Sequence, residues 1–177
     1  AVGAMCPYVK SGVGAVSTQS WVNPYLAIEA LRLMEAGASA PLALDAVLAN
    51  DDAKDLRQIG IVDAKGLAAA WTGKSCTLWC GDIVDTHVAV QGNMLAGGAT
   101  IGSMVNVFRG TAELDLAERL LRAMEAGQAA GGDKRGKQSA ALLIHGNEEW
   151  SDLDLRVDDH VDPLAELERL EQVSRER

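Results

Sequence analysis

The spacing of apolar and polar positions divides the chain into short strands and longer helices. Val2–Cys6 is an apolar run closed by Pro7, and Val13–Gln19 follows a Lys10-Ser11-Gly12 turn, which predicts a hairpin. Asn23-Pro24 opens a helix over Tyr25–Ala36, with apolar residues at 26, 27, 30, 31, 33 and 34 and Gly37 as terminator. Ser39 is placed to cap a second helix, with Pro41 in its first turn and Leu42, Leu44, Val47 and Leu48 as its apolar positions. Leu56–Asp63 and Leu67–Thr72 flank a glycine-containing turn and predict another hairpin. Gly73–Thr86 reads as irregular, His87–Gln91 as a strand, and Gly92–Gly98 as a glycine-rich turn.

Ile101–Phe108 predicts a helix closed by Gly110. Thr111 then caps a strongly periodic helix over Glu113–Ala126 that Gly127 ends. Strands are expected near 139–145 and 153–157, and Asp162-Pro163 starts a surface-lying C-terminal helix with a narrow apolar face at Leu164, Leu167 and Leu170. Strands and helices come in groups rather than alternating, which points to α+β layers and not to βαβ units. One segment repeats: Leu31–Gly37 (LRLMEAG) and Leu121–Gly127 (LRAMEAG) are identical at six of seven positions. A helix ending at glycine explains both locally, so duplication is not required.

Composition narrows the class. The 177 residues fit one domain, with 48% hydrophobic and 23% charged residues. Aromatics are 4%, so Ala, Val, Leu and Ile build the core. A net charge of −9 argues against nucleic acid and acidic membrane surfaces as partners. No apolar run reaches the ~20 residues of a membrane span. Three cysteines are too few for a disulfide framework, and a reducing cytoplasm is the default location.

The chemistry concentrates where strands meet polar turns. Gly131–Ile144 (GGDKRGKQSAALLI) places Asp133, Lys134, Arg135, Lys137, Gln138 and Ser139 in a loop feeding a buried strand. Asp133 and Arg135 are two apart, so in an extended loop they point the same way, to pair with each other or to clamp a ligand. Gln91-Gly92-Asn93 supplies neutral amides and a glycine backbone, a chemistry suited to an oxyanion hole or to a simple turn. Thr18 and Gln19 crowd a strand end. Cys76 and Cys80, with Asp82, Asp85 and His87 downstream, lack a second close ligand pair, so no metal is assigned and no cofactor is expected. His160, beside Asp158 and Asp159, has the residue types of an oriented base but reads better as a strand-end polar cluster.

Taken together, Ala1–Asn23, Leu56–Gly73, Gln91–Ala96, Leu120–Leu143 (containing GGDKRGKQSA) and Leu155–Leu164 (LRVDDHVDPL) resemble the bacterial and archaeal DUF1028 family, grouped with the N-terminal nucleophile (Ntn) hydrolases. The resemblance covers nearly the whole chain, in order. It implies an αββα sandwich of two antiparallel sheets, and amide hydrolysis by an N-terminal Thr, Ser or Cys. Family members usually begin about twenty residues upstream of where Ala1 aligns, so the resemblance predicts a missing first strand carrying the nucleophile, with Val2–Cys6 or Val13–Gln19 bordering a gap unless a partner chain fills it.

On that basis the expected ligand is a small amide, lactam or peptide-like molecule. Asn93 and Gly92 are the oxyanion candidates, and Asp133, Arg135, Gln138, Ser139, Thr18, Gln19 and Gln91 the substrate-binding ones. A non-catalytic binding or assembly protein is the alternative. A homo-oligomer follows from the fold's habit and from no feature of this sequence.

Overall fold

The structure, a computed structural model, describes residues 2–176. It is α+β: five α-helices and eight strands, every strand pair antiparallel. The first sheet has the order β1-β2-β3-β4, from Pro7–Lys10, Gly14–Ser20, Arg57–Asp63 and Ala68–Thr72. Two further hairpins stand apart from it: β5 (Gly81–Asp85) with β6 (Val88–Gly92), and β7 (Ala140–Ile144) with β8 (Leu153–Val157).

Side-chain alternation sorts the first sheet's two faces. Val16, Ile59 and Ile61 face α1 (Pro24–Glu35) and α2 (Ala40–Ala49) in one apolar cluster. Gln19, Gln58 and Gly60 face the other way, where β5 and β6 pack over β4 and β3. β7 packs over β1. Outside the hairpins, α3 (Ala99–Gly110) covers β5–β6, while α4 (Leu116–Ala129) and α5 (Pro163–Arg175) cover β7–β8. No helix among the described residues is long and apolar enough to cross a membrane.

Several boundaries move for physical reasons. Val2–Ala4 forms a 3₁₀ turn rather than a strand, with Cys6 N–H bonding Val2 O at 3.0 Å. The first strand instead begins at Pro7, as an edge strand with β2 as its sheet neighbour, a position that tolerates proline's missing donor. β2 has a strand on both sides, so no gap borders it within the sheet. The open interval lies in the next layer, where β6 and β7 are not hydrogen-bonded to each other.

Ser39 occupies the N-cap position of α2 but makes no side-chain bond there; Asp63 of β3 accepts from Ala40 N–H at 3.0 Å instead. α4 starts after Asp115, whose carboxylate accepts from Glu118 N–H at 3.0 Å, while Thr111 bonds back to Val107 O. Gly37 does end α1, at φ 101°, but Gly127 lies inside α4 and is buried. A Cβ at Gly127 would stand 2.7 Å from Met104 Cγ, so this glycine lets α3 and α4 approach. β5, in the stretch read as irregular, joins β6 through Thr86-His87, with His87 at φ 66°. α5 lies on the surface yet seats Leu167 with no exposure.

Candidate functional site

The cleft of interest opens where the ends of β2 and β6 meet two loops. It has a volume of about 680 Å³. Its back wall is Gln19, Gln91, Gly92 and Asn93, one side is Asp133 and Arg135, and its lip includes the exposed indole of Trp21.

The loops are held together by backbone. Lys134 N–H bonds Met94 O at 2.9 Å, Ala96 N–H bonds Gly132 O at 2.9 Å, and Leu95 and Asp133 form an isolated bridge. Thus the GGDKRGK loop lies directly against the Gln91–Leu95 turn. Lys134 Nζ turns away to Leu78 O at 2.6 Å. Ser20 and Met94, two non-glycine residues with positive φ at 71° and 56°, line the same cleft. Such backbone is uncommon outside glycine and concentrates where a chain must aim its side chains.

Behind the wall lies a residue the sequence did not single out. Gln58 is fully buried and shares its amide hydrogens among Gly92 O (2.9 Å), Thr72 Oγ1 (2.9 Å) and Gly81 O (3.1 Å). Its Oε1 accepts from Gln19 Nε2 at 2.8 Å and from Asn93 Nδ2 at 3.1 Å. Gln19 also donates to Gln91 O at 3.2 Å, and Gln91 Nε2 to Ser17 O at 3.3 Å. The signal for Gln58 was an amide beside Arg57 at the head of the apolar run Ile59–Val62.

Gln91 fits because residue 60 is glycine: a Cβ there would stand 2.2 Å from Gln91 Oε1. Gly60→Ala is therefore expected to displace Gln91 and cost about 1–3 kcal/mol, read from the urea unfolding midpoint. An unchanged midpoint would show that the Gln91 side chain is not held as described.

Asp133 and Arg135 pair in a two-pronged fashion, Nη2 to Oδ2 at 2.6 Å and Nε to Oδ1 at 3.0 Å. The Arg135 guanidinium holds the Asp133 carboxyl below its usual range, against a smaller opposing effect of burial. Asp133 in turn raises Arg135. Nη1 of Arg135 has no protein partner among the described residues and remains available for an anion. Cys6 also lines the cleft, but burial pushes its thiol up and away from the reactive thiolate.

The structure separates three candidates from this group. Thr18 is fully buried on the opposite face of β2, with its hydroxyl toward Asn23 O, because alternation sends residues 18 and 19 to opposite sides. Gln138 and Ser139 line a neighbouring cleft of about 460 Å³, which shares Val2, Asp133 and Arg135 with the first. Gln138 donates to Asp159 Oδ1 at 3.1 Å, and Ser139 Oγ accepts from Val2 N–H at 3.3 Å. Gly92 is buried with its carbonyl engaged by Gln58. His160 is a turn residue whose Nδ1 accepts from Asp162 N–H at 3.0 Å, while Asp158 pairs with Arg156. Cys76 and Cys80 are free thiols, each bonded to a backbone carbonyl. Among the described residues no group of three or more His, Cys, Asp or Glu is placed to hold a metal ion.

Residues 1–167 match the family described as "Family of unknown function (DUF1028)", and the chain belongs to that family. It is similar to the crystal structure of protein SPO2555 from Silicibacter pomeroyi, itself assigned to DUF1028. The TM-score is 0.91 and the identity 28%, over 98% of this chain and 75% of that one. No curated protein matches.

Proposed function

We propose that this chain carries the substrate cleft of an Ntn-type amidohydrolase acting on a small amide, lactam or peptide-like molecule. One observation carries the reading. Neutral amides at Gln19, Gln91 and Asn93 and the Asp133–Arg135 pair line one cleft at a strand-end rim, although they come from three distant segments. Asn93 Nδ2 is the donor for a developing oxyanion, Arg135 Nη1 the contact for a substrate carboxylate, and Asp133 the group that orients Arg135 or a substrate amine.

The fold reading goes with it. Helices α1–α2 on one face of the four-stranded sheet, and helices α3–α5 outside the two hairpins on the other, support an αββα sandwich as that reading. Among the described residues, β6 over β3 and β7 over β1 leave the position over β2 without a strand. A further strand seated there would join both hairpins into one sheet and bring its end to the cleft. A Thr, Ser or Cys at the head of that strand is what the reaction class requires, its α-amine serving as base near neutral pH.

Intact mass and N-terminal sequencing of the protein from its natural source test this. A processed Thr, Ser or Cys is the expected first residue. A natural start at Ala1 would end the catalytic reading and favour a binding or assembly protein of the same fold. Nucleic acid and membrane are not partners in this reading, and the location is cytoplasmic.

Arg135→Ala separates a ligand clamp from a structural pair. The Arg135 side chain is 65% exposed, so its loss is expected to cost about 0–1 kcal/mol and leave the melting temperature nearly unchanged. Binding of a small carboxylate-bearing amide such as N-acetylglycine, read by NMR titration, is expected to weaken severalfold. A large melting loss with unaltered binding would reverse the assignment.

A further inference from the structure

The Gln58 network determines which way the Gln19 and Asn93 amides face. Gln58 Nε2 lies against Gly92 O and Gly81 O, two carbonyls that only accept. Its Oε1 must therefore face Gln19 and Asn93, and both must offer it nitrogen. Gln19 spends its second amide hydrogen on another carbonyl, Gln91 O. Both hydrogens of Gln19 are thus committed, and its Oε1 has no protein partner among the described residues. Nor is that oxygen one of the buried unpartnered polar atoms, so it is accessible in the cleft that Gln19 lines. Asn93 commits one hydrogen to Gln58, and its other amide hydrogen has no protein partner among the described residues.

The wall therefore presents an acceptor, Gln19 Oε1, beside a donor, Asn93 Nδ2–H, both anchored on a single buried oxygen. That pair complements a group with its own acceptor and donor on adjacent atoms, a carbonyl followed by N–H. We propose that Gln19 is the specificity-determining residue of this cleft: it reads the N–H of the bound amide and so restricts the ligand to primary and secondary amides, against esters and N-alkylated amides. The proposal rests on the amide-substrate reading for its choice of ligand and adds to it the residue that recognises the nitrogen side. The discrimination arises because an ester would set its own oxygen lone pairs against Gln19 Oε1, leaving both acceptors without a donor.

Three probes of nearly the same shape test it on the ¹⁵N-labelled chain by NMR titration: N-acetylglycine, its ester analogue O-acetylglycolate, and N-acetylsarcosine, which is methylated at nitrogen. N-acetylglycine is expected to shift the amide signals of residues 91–95 and 133–135, with the other two binding at least about tenfold more weakly. Gln19→Met, which keeps length and removes the acceptor, is expected to erase the difference between amide and ester. Should that variant fail to fold, the comparison of the three probes on the unaltered protein still decides.

Equal binding of all three probes to the unaltered protein would overturn the proposal while leaving the amide-substrate reading in place. Preferential binding of N-acetylglycine by a natural protein that hydrolyses no amide would sustain the proposal and end the hydrolase reading. Failure of every probe to bind overturns both.

Discussion

Replacing Gln58 with Leu is expected to be among the most damaging single changes in the chain, lowering stability by about 3–5 kcal/mol. The volume is nearly conserved, so the loss does not come from a cavity. It comes from groups left without partners: Gly92 O and Gly81 O lose a donor, and the amides of Gln19 and Asn93 lose their shared acceptor. The orphan at buried Gly92 costs its full desolvation, and Gln58 itself has no exposure to let water substitute; the half-buried groups at Gly81, Gln19 and Asn93 add smaller amounts.

Gln58→Glu gives the same argument a pH signature. It keeps the acceptor side, retains one O–H donor when protonated and loses every donor when ionised. Burial raises the folded-state pKa of the new carboxyl above its unfolded value near ~4.3. The protonated form is then the one the fold prefers. The deficit relative to the unaltered protein is smallest below that unfolded value and grows as pH rises through the raised folded pKa. Urea midpoints for both proteins at pH 4 and pH 7 check this. A deficit that does not grow with pH would mean that water reaches residue 58.

What was legible in the sequence followed the range of the interactions involved. The β3–β4 hairpin, α1 and the Pro163 start of α5 are specified by near neighbours, and local patterning found them. Gly37 and Gly127 end nearly identical seven-residue segments, yet one terminates a helix and the other sits within one. Gly37 takes φ 101° in open space, whereas Gly127 packs against Met104 of α3, a distant contact that no reading of the segment itself can reveal. β5 was missed because its hairpin turn is Thr86-His87, where a histidine adopts the positive φ for which glycine or asparagine is the usual signal.

The site divides the same way. Asp133 and Arg135 were visible as a pair because they are two residues apart. The choice between Gln19 and Thr18 needed the strand's facing, which is set by what covers each side of the sheet. Gln58, next to Arg57 at the head of an apolar run, carries no local signal of its role, because that role depends on β2, β4, β5 and β6 all converging on it.

The same contrast between local and distant partners gives the second large effect, at Asp63. Ser39 stands where a helix cap belongs, but the carboxylate that serves α2 comes from the end of β3, twenty-odd residues on. Asp63 Oδ2 takes Ala40 N–H at 3.0 Å, while Oδ1 takes Lys65 N–H at 2.9 Å and Leu67 N–H at 3.0 Å, so one side chain ties a helix start to the β3–β4 turn. Burial alone would raise its pKa. The three backbone donors, together with the Lys65 charge, outweigh burial and hold the carboxyl below its ordinary value.

Asp63→Ala strands these donors and is expected to cost about 2–4 kcal/mol at neutral pH. Asp63→Asn recovers part of this: with its oxygen at the Oδ1 position it keeps Lys65 and Leu67 N–H, while its amide nitrogen faces Ala40 N–H. Because the folded-state pKa is depressed, the contribution is fully present above the unfolded value near ~3.9 and is lost as pH falls through the folded one. The gap between the unaltered protein and Asp63→Ala should therefore be widest at neutral pH and narrow in acid below pH ~4. Urea denaturation of both proteins across that range is the measurement. A gap that holds constant into acid would show that the Asp63 charge contributes nothing and that packing alone joins the helix to the turn.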